Sequence, residues 1–449
     1  MRTRFLFTLA TLGCLTTTRA QWVAVGSGMD MYVHASAVYN DELYASGNFE
    51  HADGNLCLGI ARWNGSAWSD VSGGFQTGAF SHVVSALIEF NGELIAGGWV
   101  DSVAGMPIQK VARWNGSTWS PMGTDCLINT PRGFAIHNGE LYMCGQGSGA
   151  LFPRCVQKWN GTNWVSIENN AGSVEVYSLA SYNGELYASG AFANFDGATV
   201  NGIARWNGTS WSDVGGGIPG ITFTDIVRPL VVYNGKLYAG GHFLAMGSAT
   251  VNDIAAWDGT SWSDVGGGVG GATAGVQSLV ASGGKLFVGG SFWTVNGATA
   301  NRAAYWDGAW TVLGTDLGAG ARTQAVYHDE LYSFGEGAFN GHNYAARWSD
   351  DTFSSIAETS TPAMILLAPN PVAQGGTVTL ASTGANAMNE VSAIAFIGAD
   401  GRSVIHEQVN GQGRDRLELP LIGVAAGSYI VEMSDRLGSV LGRDRVIVE

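Results

Sequence analysis

Seven residues occupy one point in an internal repeat of this chain: His34, Ser85, Arg132, Tyr177, Arg228, Gln277 and Arg322. Each lies five residues before the end of an apolar segment that opens its repeat. Two positions further on, the same segments are mostly apolar, as at Leu87, Phe134, Leu179, Leu230 and Leu279. Three arginines at one structural position in an acidic chain are suited to holding a carboxylate or another anion, because the planar guanidinium fork matches that geometry. The competing reading is that they pair with carboxylates of the repeats themselves.

Other chemistry is thin. The chain has no His-Glu-x-x-His, no Cys-x-x-Cys and no Gly-x-Ser-x-Gly, and its eight histidines are scattered. Asp53-Gly54-Asn55 and Asp196-Gly197 lack the further spaced carboxylates of a calcium loop and read as turns. The triple-glycine stretches precede no Lys-Ser/Thr, so no phosphate loop is present. No metal site and no cofactor are expected. Cys57, Cys126, Cys144 and Cys155 follow the leader. Cys144 and Cys155 fall on neighbouring strands of one repeat and are the favoured disulfide, with buried free thiols as the alternative. The Asn-x-Ser/Thr matches at Asn64, Asn115, Asn160 and Asn207 read as hairpin turns.

These residues must be positioned by the repeat itself. Its clearest copy runs from Val176 to Gly217: an apolar strand, a tight turn, Glu-Leu-Tyr-Ala-Ser-Gly, a loop, Ala-Arg-Trp, Asn-Gly, then Trp-Ser-Asp-Val-Gly. The first Trp recurs at Trp63, Trp114, Trp159, Trp206, Trp257, Trp306 and Trp348, at spacings of 42 to 51 residues. Self-similarity at this period marks a propeller or solenoid. Each copy reads as four strands, with Asn-Gly or Asp-Gly turns between the first two and between the last two. A four-stranded unit buries both faces only against neighbours, so the expectation is an all-β, seven-bladed β-propeller. The Gly-Gly doublets suit crowded approaches between blades. The paired Trp residues read as blade packing. Gln21 to Gly28 copies the fourth-strand phrase before any repeat begins and is the favoured closing strand over Thr352 to Ile356.

The expected domains are a signal peptide (1–20), the propeller (21–357), a linker (358–364) and a small immunoglobulin-like β-sandwich (365–449). Arg2 and Arg4, the apolar run Phe5 to Leu15 and Thr18-Arg19-Ala20 make the leader. No later segment holds the ~20 consecutive apolar residues of a membrane helix. The formal charge is −15, or −18 once Arg2, Arg4 and Arg19 leave with the leader, which argues against nucleic acid as a partner.

The repeat resembles kelch-type propellers and, through Ala-Arg-Trp-Asn-Gly-x-x-Trp, propellers related to the fungal cortical cell-polarity marker family. The C-terminal segment closely resembles the type A sorting domain of type IX secretion. The matching residues are Pro369-Asn370-Pro371, Gly401-Arg402, Gly427 and Tyr429, then Gly438 and Arg445 before the Ile447-Val448 tail. That resemblance implies a Bacteroidetes-type bacterium and export by the type IX machinery. The product would be released or attached at the outer-membrane surface. The functional expectation is a secreted or surface binding or adhesion module, monomeric, for a glycan or protein ligand. The alternative is an extracellular polysaccharide-active hydrolase or lyase with its site on the long-loop face. Those loops run over 49–59, 99–109, 192–202, 243–253 and 292–301, and most are small and apolar rather than acidic.

Overall fold

The computed structural model describes residues 21–76, 83–147, 155–168, 174–222, 224–271, 275–314, 317, 320–339 and 342–349, and shorter stretches between 365 and 448. Its regular elements are all β-strands. The chain divides into two compact units, Met1–Asp350 and Asp351–Glu449. The leader and the Thr352 to Ile356 segment lie outside the described residues.

In the first unit every repeat forms antiparallel strands in the spatial order one, two, three, four. The first repeat is representative: Val33–Tyr39, Glu42–Gly47, Ile60–Trp63 and Trp68–Asp70. Repeats three and four are joined into one larger sheet through the single pair Gln146 and Glu175. The seventh repeat takes its outer strand from the N-terminus. Gln21–Ala24 pairs antiparallel with His342–Ser349, and Trp22 stands opposite Trp348 as Trp68 stands opposite Trp63.

The first strands of consecutive repeats pack on one another, and Ala321–Tyr327 of repeat seven packs back on Val33–Tyr39 of repeat one. A hydrogen bond repeats the same step. The Tyr39, Tyr182 and Tyr233 hydroxyls donate to the carbonyls of Gly92, Gly235 and Gly284 in the next repeat. Tyr327 of the last repeat donates to Asp41 of the first at 3.0 Å.

The Trp pairs are packing groups. Their ring centroids lie 5.3 Å apart in Trp63–Trp68, Trp114–Trp119 and Trp22–Trp348. The second indole of the pair donates into the preceding sheet, as from Trp68 to the Val25 carbonyl and from Trp119 to Val71. Trp22 does the same toward Leu313 at 2.8 Å, so it fills a fourth-strand role in full. Rings of this kind bury about 150–250 Å² each.

The two turn sets differ. Asn91-Gly92 has both φ angles positive, 51° and 76°, which suits a type I′ hairpin. In the Asn64-Gly65 set only the glycine is left-handed, and the Asn64 side-chain oxygen accepts from the amides of Ser66 and Ala67. That oxygen is what the position requires, so Asp258 serves as well as Asn, its pKa held down chiefly by the Ser261 amide and then by Thr260. The Asn-x-Ser/Thr matches are these turns.

Four strands per repeat is an undercount. Between strands two and three lie short hairpins, such as Asn194–Phe195 with Ala198–Thr199 and Ala245–Met246 with Ala249–Thr250. They bury one side chain each, as at Phe195 and Met246, which is why the long connections read as small and apolar.

In the second unit two sheets share one apolar core. Ile365–Ala368, Thr377–Ser382 and Arg416–Pro420 form one; Ser403–Gln408, Ala393–Ile397, Gly427–Ser434 and Val440–Val448 form the other. Val378, Leu380, Phe396, Leu417, Leu419 and Val431 meet in the core. Leu417 and Leu419 alternate with exposed Glu418 and Pro420, the period of a half-buried strand. Tyr429 packs near Phe396 at 6.3 Å, and Arg445 stands opposite Ile430. Pro369, Asn370, Pro371, Gly401, Arg402 and Gly438 lie outside the described residues.

Candidate functional site

The chemistry begins at a defect. Every first strand carries a β-bulge against its second strand at an equivalent place in each repeat, and repeat three has a second register shift between Ile128 and Thr130. The register skips between Val33 and Ala35, Gly97 and Gly98 (opposite Ser85), and Pro131 and Gly133. It skips again at Val176/Ser178, Val227/Leu230, Val276/Ser278 and Ala321/Thr323. The bulged residues are therefore His34, Ser85, Arg132, Tyr177, Arg228 with Pro229, Gln277 and Arg322. A bulged residue has no partner across the ladder, so its side chain is re-aimed off the sheet.

The opposite strand explains how the bulge is tolerated. A Cβ on Gly98 would lie 1.9 Å from the Val83 carbonyl oxygen, and one on Gly47 would lie 1.9 Å from that of Tyr32. Gly145, Gly190, Gly241 and Gly290 meet the same obstruction. The second glycine of each doublet thus makes room for the bulge within its own sheet. Only the first faces a neighbouring sheet, as Gly97 does toward Pro131 and Phe134. Where that first residue is serine, its hydroxyl reaches the next strand: Ser46 to the Val84 carbonyl and Ser189 to that of Arg228. The glycine pattern was readable in the sequence, but its reason was the bulge, which the sequence reading missed.

The seven bulges converge. One cavity of about 390 Å³ is lined by His34, Ser85, Arg132, Tyr177, Arg228, Gln277 and Arg322, with Gln324 and apolar neighbours such as Leu87, Phe134 and Leu230. This volume lies in the range of small-molecule sites. Arg132 forms an ion pair with Glu175, and Tyr177 donates to the other Glu175 oxygen at 2.7 Å. The Tyr177 ring lies between two guanidinium groups, 5.9 Å from Arg132 and 5.5 Å from Arg228. Burial, the hydrogen bond to Glu175 and its charge push the Tyr177 hydroxyl up to about 12. Arg228 has no carboxylate partner among the described residues. Ser85 donates to the Pro131 carbonyl, Ser36 and Thr323 share a hydrogen bond at 3.1 Å, and Gln277 Nε2 donates to Ser291.

Several buried polar atoms of the lining residues have no hydrogen-bond partner: Gln277 Oε1, both amide atoms of Gln324, and Arg132 Nε. Gln324 is only 4% exposed. His34 is held neutral. Burial, then the charges of Arg322 and Arg132, lower its pKa to about 3.

The arginines of the Ala-Arg-Trp phrase behave differently. Arg62, Arg113 and Arg205 pair with Glu42, Glu93 and Glu185 on the neighbouring strand at 3.3–3.4 Å and belong to the outer scaffold.

The favoured disulfide is not formed in the structure. All four cysteines are free thiols. The register puts Cys144 opposite Val156, one residue away from Cys155, and the Cys155 thiol donates to the Val174 carbonyl at 3.3 Å. Burial raises the Cys57 and Cys126 thiols to about 11 and Cys155 to about 12, so none is a ready nucleophile. Asp53 is a structural cap whose carboxylate accepts from the Ser27 amide at 2.6 Å and the Trp68 amide at 2.8 Å. Among the described residues no group of His, Cys, Asp and Glu is arranged to hold a metal ion.

No protein-family model matches the chain, and no curated protein matches it. Among solved structures it is similar to SGBP-B of a Bacteroides ovatus mixed-linkage glucan utilization locus, solved in complex with a mixed-linkage heptasaccharide. The two are 12% identical over 48% of this chain and 52% of that one, with a TM-score of 0.16. The chain spans about half the length of that protein, and so slight a likeness carries neither fold nor function across.

Proposed function

We propose that this chain is a secreted or surface-attached binding protein whose ligand enters the cavity at the convergence of the seven first strands. The observation that carries this reading is the ring itself: seven bulges re-aim seven variable, mostly polar side chains onto one space. The scaffold repeats its Trp pairs and turns almost unchanged from sheet to sheet, whereas the bulged residue changes at nearly every repeat.

In this reading residues 21–357 are a seven-bladed propeller. Support comes from the four-strand order of each repeat, the packing of the seventh first strand on the first, and the outer strand supplied by Gln21–Ala24. Residues 365–449 are an immunoglobulin-like sorting domain for type IX secretion, supported by the Pro-Asn-Pro, Gly-x-Tyr and Arg-Val-Ile-Val motifs and by the two-sheet core. No helix of the described residues is long and apolar enough to cross a membrane.

The test is a glycan and peptide binding screen on the mature chain, run beside a variant with Arg132, Arg228 and Arg322 all changed to Gln. A ligand bound by the native protein and lost by the variant is the expected result. A ligand bound equally by both removes the cavity as the site.

A further inference from the structure

We infer that Glu175 sets the specificity of the cavity, so that its arginines take a singly charged carboxylate in preference to a doubly charged one. This rests on the reading of the cavity as a binding site and adds the residue that selects the ligand by its charge.

Glu175 is an exception in the repeat. It lies two residues before a bulged residue, where the other six repeats carry Tyr32, Val83, Thr130, Ile226, Gly275 and Gly320, none of them charged. No Asp or Glu is among the described residues that line the cavity. One carboxylate therefore stands beside a ring that otherwise presents arginines and neutral side chains.

Its backbone is fixed on two sides. Glu175 pairs with Ala191 on the second strand of its own repeat. It also pairs with Gln146 on the second strand of repeat three, the contact that joins those two sheets. Its carbonyl is the one folded over Gly190, where a Cβ would come within 2.2 Å of the oxygen. The side chain is fixed as well. One carboxylate oxygen pairs with Arg132, and the other accepts from the Tyr177 hydroxyl at 2.7 Å. A ligand that sought Arg132 would have to break both contacts to gain one.

The two arginines flanking Tyr177 thus differ. Arg132 is already compensated, whereas Arg228, 5.5 Å from the same ring, has no carboxylate partner among the described residues. A first ligand carboxylate gains a charge-assisted hydrogen bond at Arg228. A second one reaching toward Arg132 meets the charge of Glu175. Like charges brought together in a partly desolvated site repel, and a repulsive element of this kind discriminates between ligands that share their attractive contacts.

The experiment is equilibrium dialysis of the mature chain against labelled succinate and its monomethyl ester, at pH 7 and constant ionic strength. It is repeated on Glu175→Gln, Glu175→Met, Tyr177→Phe and Arg228→Gln, with melting temperature checked for all. The native protein should prefer the monoester. Glu175→Gln should gain about tenfold or more for succinate, the scale of a removed like-charge contact, and leave the monoester little changed. Glu175→Met, which also removes the hydrogen bonds, should shift the preference in the same direction. Tyr177→Phe breaks the hydroxyl contact but keeps the carboxylate, so it should keep the native preference. Arg228→Gln should lose both ligands. A succinate gain no larger than that of the monoester in both Glu175 variants overturns the role of Glu175, and loss of binding in Arg228→Gln then still upholds the cavity. A preference that moves equally in Tyr177→Phe overturns selection by charge. Binding of neither ligand to the native protein or to Glu175→Gln overturns the anion-binding reading of the cavity together with this inference.

Discussion

Protonating His34 in place would put a cation in a partly buried position beside Arg322 and Arg132. Its folded pKa of about 3 lies well below the ordinary value of 6.5. Between those limits the unfolded chain binds the extra proton, so this residue costs nothing above pH 6.5 and costs stability progressively as pH falls toward 3. The slope is at most about 1.4 kcal/mol per pH unit. His34→Gln should therefore match the native protein in urea denaturation at pH 7 and exceed it at pH 4.5; an unchanged gap at both values would contradict the environment described for His34. The identity of the ring residues was legible because one register position in seven repeats was mostly polar and variable while the position two further on was mostly apolar. Their partners were not legible. Arg132 follows the ion-pair alternative raised from sequence, but its partner Glu175 comes from the next repeat, 43 residues away. Arg228, by contrast, has no carboxylate beside it among the described residues.

At the level of the strand, the bulge is the functional device. It requires a carbonyl to fold over the opposite residue, and glycine alone leaves that space. Gly98→Ala would press a methyl group against the Val83 backbone, whereas Gly97→Ala would meet the movable Phe134 ring at 2.9 Å. The first should cost more than about 3 kcal/mol in urea denaturation and the second about 1–3. The reverse order would contradict the account of the doublet. The four-strand grammar was legible because Asn-Gly turns and the Trp phrase are strong local signals. The extra hairpins were not, since strands as short as Ala198–Thr199 carry no periodicity to read. Cys144 and Cys155 stand as free thiols in one apolar cluster, the alternative that the sequence left open.

Across the whole first unit, the proposed propeller requires its seven repeats to be fastened into a ring. Gln21–Ala24 does this by occupying the edge of His342–Ser349, joining two segments more than 300 residues apart. Trp22 completes both the last Trp pair and the indole bond to Leu313. The N-terminal copy of the fourth-strand phrase made this closure readable, because a strand phrase with no repeat around it has one edge left to fill. In the proposed propeller, this closure gathers residues from positions 34 to 322 onto one cavity. An experimental structure of the mature chain tests this most directly. It should show Gln21–Ala24 paired with His342–Ser349, Tyr327 bonded to Asp41, and the seven bulged residues around one cavity. A gap between the first and seventh sheets, or that edge taken by a segment following Ser349, would contradict it.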